Sequence, residues 1–227
     1  MYNFEITMTL SEEDYIKAIY HLGKGKDTMV STNAIAEKMD TKPSSVTDMI
    51  KKLDKKSLVL YRRYKGVSLT DSGEMIALSI VRKHRLWEVF LVDKLNFSWD
   101  EVHEIAEQLE HIKSEKLIDK LDVHLGCPRV DPHGDPIPTK EGQFKKTIKI
   151  LLSKATVGAK GVCVGVKDSS PPFLNFLDKN GITIGNVIKV LEREAFDKSL
   201  YIEINSKKIH ISNQIASNLY LEIKKTE

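Results

Sequence analysis

The apolar pattern of this chain changes period once, across a connector that holds four prolines, and that change excludes a fold built from one kind of element. Up to about Leu125, apolar residues recur three and four positions apart, as on helices buried along one face. Beyond about Lys145 they gather in short β-branched runs, among them Val162–Val166 and Val187–Leu191, punctuated by Gly158, Gly161, Gly165, Gly181 and Gly185. Cys127-Pro128-Arg129-Val130-Asp131-Pro132-His133-Gly134-Asp135-Pro136-Ile137-Pro138 lies between them. It reads as irregular chain, because proline neither continues a helix nor completes a central strand. The class implied is α+β: helices first, then five or six short strands closed as a small β-barrel.

The helical part has an internal order. Asp14–Leu22 reads as a helix with Tyr15, Ile16, Ile19 and Leu22 on one face, ended by Gly23 and Gly25. Ser31 caps a short helix over Thr32–Met39, and Pro43 opens a third that runs to about Lys55 and buries Val46, Met49, Ile50 and Leu53. Two apolar runs, Leu58–Tyr61 and Val67–Leu69, flank the basic turn Arg62-Arg63-Tyr64-Lys65-Gly66. Helix, helix, tight turn, polar helix and basic hairpin are the parts of a winged helix-turn-helix, in order. Net charge is only +3, so the total does not mark a nucleic-acid binder, but the distribution does. Lys51, Lys52, Lys55, Lys56, Arg62, Arg63 and Lys65 stand against the single Asp54, with Lys42 just upstream. The third helix offers Ser44, Ser45, Thr47, Asp48 and Lys51 outward. Small hydroxyl residues suit a helix N-terminus set in a major groove, while Arg62, Arg63 and Lys65 of the wing suit phosphates. The alternative is a solvated amphipathic helix with an exposed hairpin.

Helices over Met75–Leu95, Trp99–His111 and Ser114–Leu125 follow. Long apolar-faced helices beside a small DNA-binding unit suit a homodimer, whose two-fold axis would match that of an operator. The expected domains are therefore residues 1–73 (winged helix), 74–142 (helical) and 143–227 (barrel). No run of eighteen apolar residues occurs, so no membrane span is expected. Met1–Leu10 lacks a basic start, an apolar stretch and a cleavage site, and Cys127 and Cys163 lie far apart outside any CxxC spacing. A reducing cytoplasm is the expected compartment.

One constellation carries chemistry. His103, Glu107, Glu110 and His111 stand at i, i+4, i+7 and i+8, which on a helix of about 100° per residue puts them on a single face. On a stripe of two imidazoles and two carboxylates, the carboxylates repel each other and pay for desolvation unless a divalent cation joins them. His84 and Glu88 repeat the i, i+4 spacing on the preceding helix, and Asp14 opens the first helix. The bland alternative is a solvated face, as for nearby Glu101 and Glu104. A rival from another class is a metal-dependent hydrolase whose carboxylate–histidine cluster activates water, and a third is an interaction module built on the barrel. No nucleophile–base pair or glycine-rich phosphate loop accompanies the cluster.

The motifs Glu13-Asp14-Tyr15-Ile16-Lys17-Ala18-Ile19-Tyr20, Pro43-Ser44-Ser45-Val46-Thr47, Lys83-His84-Arg85-Leu86-Trp87-Glu88, Glu107-Gln108-Leu109-Glu110-His111 and Val130–Pro138 together resemble the diphtheria toxin repressor family. The likeness is to its manganese-responsive branch, whose last segment is an SH3-like barrel similar to the iron-transport protein FeoA. The resemblance implies a dimeric repressor that binds operator DNA when loaded with Mn²⁺ or, alternatively, Fe²⁺. It implies a primary metal site of Asp14, Glu107, Glu110 and His111, with His84 close by, and an ancillary site drawing on His84, Glu88 and His103. The connector could add His133 and the barrel Asp168. Iron-type members carry methionine and cysteine where this chain has Asp14 and Glu107, and hard oxygen donors suit manganese better than sulfur does. Lys17 stands where some manganese members have a further carboxylate.

Overall fold

The computed structural model describes residues 7–144 and 148–223. Met1–Ile6, the greater part of the segment read for a leader, and Lys145, where the strand-rich pattern begins, lie outside the described residues. The chain forms two compact units. One joins the described residues up to His84 with Gln108–Glu115 and Pro138–Gln143; the other joins Arg85–Glu107, Lys116–Ile137 and the described residues from Phe144 onward.

In the first unit, α1 (Leu10–Gly23), α2 (Thr32–Lys38) and α3 (Pro43–Lys55) precede the hairpin of β1 (Val59–Arg62) and β2 (Gly66–Leu69). The helix α1 begins four residues before the expected Asp14, because Thr9 and Glu12 close a reciprocal capping box. Thr9 N–H donates to Glu12 Oε2 at 2.8 Å and Glu12 N–H to Thr9 Oγ1 at 3.3 Å. Proline at the first position of α3 loses no hydrogen bond there and presets φ for a helix. Ile16, Ile19, Ile35, Ile50, Leu53 and Leu58, all fully buried, make the core on which these helices and the hairpin close. Val30 bridges to Val67, so the hairpin is sewn to the loop before α2. Gly66 is required at that seam: φ is +112°, and a Cβ would stand 2.3 Å from the Val30 carbonyl oxygen.

The helix α4 (Asp71–Leu95) starts in the first unit and ends in the second, and α5 (Val102–Leu109) and α6 (Glu115–His124) follow. The helix α5 is shorter than expected at both ends. Glu101 accepts from the Ser98 backbone and hydroxyl, which turns the chain before Val102, and Ile112 N–H closes on the Leu109 carbonyl at 3.2 Å. Glu110 and His111 therefore lie on a turn past the helix and not on its stripe.

The second unit holds one six-stranded antiparallel sheet. Its strands are β3 (Ile150–Leu151), β4 (Lys160–Val166), β5 (Val187–Arg193), β6 (Leu200–Ile204), β7 (Lys207–Ile211) and β8 (Leu219–Glu222). They lie in the order β3-β8-β4-β5-β6-β7. Bulges at Cys163/Gly165 in β4 and Val190/Glu192 in β5 add twist, and the sheet curls over a core of Leu174, Leu177, Ile188, Val190, Ile202 and Leu221. Leu174 and Leu177 come from α7 (Pro171–Lys179), and α8 (Asn213–Ala216) precedes β8. The connector is anchored to the sheet at Gly134, whose φ is +82° and whose Cβ would lie 2.0 Å from the Val164 carbonyl oxygen.

Candidate metal centre

Asp14 on α1 meets Glu110 and His111 of the turn after α5, with one donor atom from each lying within 4.8 Å of the others. Glu110 is 1% exposed, while the Asp14 side chain is 41% exposed, so the group is closed on one side and open on the other. His111 is held by a residue the sequence reading gave no separate role. Glu13 Oε2 lies 2.7 Å from His111 Nδ1, which places the ring proton there and leaves Nε2 3.2 Å from Asp14 Oδ1. A carboxylate behind the imidazole fixes tautomer and ring orientation in the manner of a metal-ligating histidine. The only signal for Glu13 was its place in the Glu12-Glu13-Asp14 run, because its partner is distant in sequence.

Glu110 Oε2 has two more neighbours. Lys17 Nζ donates to it at 2.6 Å, and His84 Nδ1 lies 2.6 Å away; Lys17 Nζ and His84 Nδ1 are 3.3 Å apart. Two carboxylate groups and an imidazole are a hard, mixed O/N donor set, and they fit a divalent first-row ion.

In the second unit, Glu88, Asp131 and His133 form another buried group, their donor atoms also within 4.8 Å of one another. His133 Nε2–H donates to the Trp99 carbonyl at 2.8 Å, and Nδ1 lies 3.7 Å from Glu88 Oε2. Burial alone would lower the pKa of His133, but Glu88 and Asp131 outweigh it and raise the group to about 9. Asp131, missed in the sequence, accepts the backbone N–H of His133 and Asp135 and lies 3.4 Å from Arg85 Nε. Burial first, and then Glu88 and Asp135, push its carboxyl up to about 7. His103 Nδ1 lies 3.4 Å from Glu88 Oε1, and its Nε2 3.6 Å from Glu107 Oε1. Asp168 is half-buried and accepts the Ser170 N–H at 2.9 Å ahead of α7.

The residues read as DNA contacts form an exposed set on the first unit. Lys42, Ser44, Ser45, Asp48 and Lys51 are exposed at the start of α3, and Arg62, Arg63 and Lys65 at the hairpin tip. Thr47 is half-buried, and its hydroxyl donates to the Pro43 carbonyl at 2.9 Å. Tyr64, unassigned in the sequence, is 90% exposed between the basic residues, with the Arg63 guanidinium 5.0 Å over its ring.

Comparison with known families covers most of the chain. Residues 7–67 match the model described as "Iron dependent repressor, N-terminal DNA binding domain" and residues 70–139 match "Iron dependent repressor, metal binding and dimerisation domain". Residues 150–223 match the FeoA domain. The chain belongs to the iron-dependent repressor family. Within this family it is 33% identical over 126 residues to the iron-dependent repressor IdeR of Mycobacterium bovis, covering 56% of this chain and 54% of that protein. The chain thus spans about half the length of the IdeR relatives it matches. It is 39% identical over 113 residues to the transcriptional regulator MntR of Oceanobacillus iheyensis, covering 50% of this chain and 76% of that one. Among solved structures, a manganese-dependent transcriptional repressor in complex with manganese superposes with a TM-score of 0.80 at 34% identity, covering 94% of this chain and all of that one. The manganese regulator SloR gives a TM-score of 0.70 at 37% identity, covering 96% and 100%. An iron-dependent repressor fold is a DNA-binding fold and not an enzyme's, and nothing in these matches supports the hydrolase alternative.

Proposed function

We propose that this chain is a metal-dependent transcriptional repressor which, as a homodimer in the cytoplasm, binds operator DNA when it holds Mn²⁺, with Fe²⁺ as the alternative ion. The observation that carries this reading is the convergence of Asp14, from the helix that opens the DNA-binding fold, with Glu110 and His111. A bound divalent cation would supply the positive charge that lets these groups remain together. Asp14 and Glu110 offer oxygen, Glu13 aims the His111 ring, and the turn of residues 110–111 is thereby held to α1. Holding α1 fixes the helix against which α3 packs, and so favours one setting of the reading head over others.

Glu107, three residues before Glu110 in sequence, is the proposed fourth ligand. The proposed ancillary site uses Glu88 and His103, already paired at 3.4 Å, with His84 one turn earlier on α4 and His133 or Asp168 as further donors. The domain limits we propose remain residues 1–73, 74–142 and 143–227. Manganese is the preferred ion in this reading because oxygen donors replace sulfur at Asp14 and Glu107.

The test is selection from random DNA duplexes, performed anaerobically with Mn²⁺, with Fe²⁺ and with chelator. Enrichment of an inverted repeat with metal and not with chelator is the expected result. Activation should come at a lower Mn²⁺ concentration than in the double variant Asp14→Met with Glu107→Cys, whose response should move toward Fe²⁺. Equal enrichment with chelator would overturn the metal dependence, and equal metal responses of the two proteins would overturn the selectivity.

A further inference from the structure

The environment of Glu110 extends beyond the proposed ligands, and the extension concerns how many ions the site can take. Its carboxylate, 1% exposed, has Asp14 and His111 as neighbours in one donor group and His84 Nδ1 at 2.6 Å. A buried carboxylate with nitrogen and oxygen donors beyond its first partners is the kind of group that bridges two ions, which in two-metal sites lie about 3.5–4 Å apart. Here a side chain of the protein already stands at the second position. Lys17 Nζ, on a side chain 12% exposed, lies 2.6 Å from Glu110 Oε2 and 3.3 Å from His84 Nδ1.

We propose that the Lys17 ammonium is a resident cation that takes the place of a second metal ion beside Glu110 and His84, and so holds the Asp14–Glu110–His111 site to a single divalent ion. The charge that already stands beside Glu110 supports this reading. Glu110 is buried with the Lys17 ammonium against it, so the chain itself already supplies a positive charge beside this carboxylate. A second divalent ion at the same place would have to sit against that ammonium, an unfavourable contact of like charges. Replacing Lys17 by a carboxylate removes that positive charge and puts an oxygen donor in its place, which favours a second ion. Lysine also suits the task sterically, because its charge is a single point on a flexible stem and needs no fixed coordination geometry.

The inference rests on the reading of Asp14, Glu110 and His111 as a metal site, and the experiment separates the two. The full-length parent, Lys17→Glu and Lys17→Met are each dialysed against Mn²⁺, the bound metal is counted, and electron paramagnetic resonance spectra are recorded. The parent should show bound manganese without the exchange-coupled signal of a close pair. Lys17→Glu should hold one more ion per chain and acquire the coupled signal. Lys17→Met, which removes the charge and keeps the length, should melt at a lower temperature without metal and gain more from added Mn²⁺ than the parent does. A coupled pair in the parent overturns the Lys17 assignment alone, whether or not the variants fold. An unchanged metal count in a folded Lys17→Glu overturns it as well. A parent that binds no manganese overturns the metal-site reading, and this inference with it.

Discussion

At the scale of single residues, the metal group is organised by side chains that are not themselves proposed as ligands. Glu13 meets His111 Nδ1 at 2.7 Å from a position next to Asp14 in sequence, yet on α1 the two carboxylates serve different atoms of the same ring. The amide of glutamine can still accept from the Nδ1 proton but carries no charge to strengthen it. Glu13→Gln should therefore lower Mn²⁺ affinity about 10- to 100-fold, the usual cost of losing such a partner, while leaving the chain folded. Isothermal titration with Mn²⁺ against a matched melting curve checks this. Unaltered affinity would show that the His111 ring is oriented by its packing alone. His133 displays the complementary case, a histidine whose two nitrogens are engaged by the Trp99 carbonyl and the neighbourhood of Glu88. The type and motif of His133 suggested a ligand; its partners, distant in the chain, hold it buried beside Glu88, another proposed ligand.

At the scale of elements, the fit between sequence and structure follows how local each determinant is. The third helix, with Pro43 first and Val46, Ile50 and Leu53 turned inward, has its limits written into its own residues, and it appears as expected over Pro43–Lys55. The helix α5 does not, because its ends are set by the Ser98–Glu101 turn and the Ile112–Leu109 closure, which periodicity cannot see. The strand β8 went unread because Leu219 and Leu221 gain their burial only by lying between β3 and β4, far away in sequence. The hairpin was legible for a local reason, its apolar runs around a basic turn, and its function should be equally local. Arg62 and Arg63 are exposed at the tip, where contacts would be to phosphate. Replacing both with Ala should weaken binding to all duplexes alike and reduce the slope of log affinity against log salt by roughly 2, about one for each charge removed. Anisotropy titrations over a range of KCl concentrations give that slope. A changed sequence preference with an undiminished slope would mean that the wing reads bases.

At the scale of the molecule, three of the four proposed primary ligands, Asp14, Glu110 and His111, fall in the same compact unit as helix α3 and the wing. Residues 108–115 leave the helical segment that contains them in sequence and pack with the DNA-binding fold, so these three proposed ligands and the proposed DNA contacts belong to one body. If the ion favours the DNA-competent setting of that body, the two affinities are linked by a single coupling free energy, and linkage is reciprocal. Whatever factor Mn²⁺ adds to operator affinity, saturating operator must add to Mn²⁺ affinity; a coupling of about 1–3 kcal/mol corresponds to roughly 5- to 150-fold. Both factors can be measured on the full chain, one by anisotropy at fixed free Mn²⁺ and the other by competition with a manganese chelator in the presence and absence of DNA. Removal of metal by excess chelator should reverse the first factor completely. A duplex without the operator sequence should change Mn²⁺ affinity much less, because only the specific complex selects the metal-favoured setting. Equal enhancement by both duplexes would place the effect in the general field of the DNA, which attracts cations, and not in the protein.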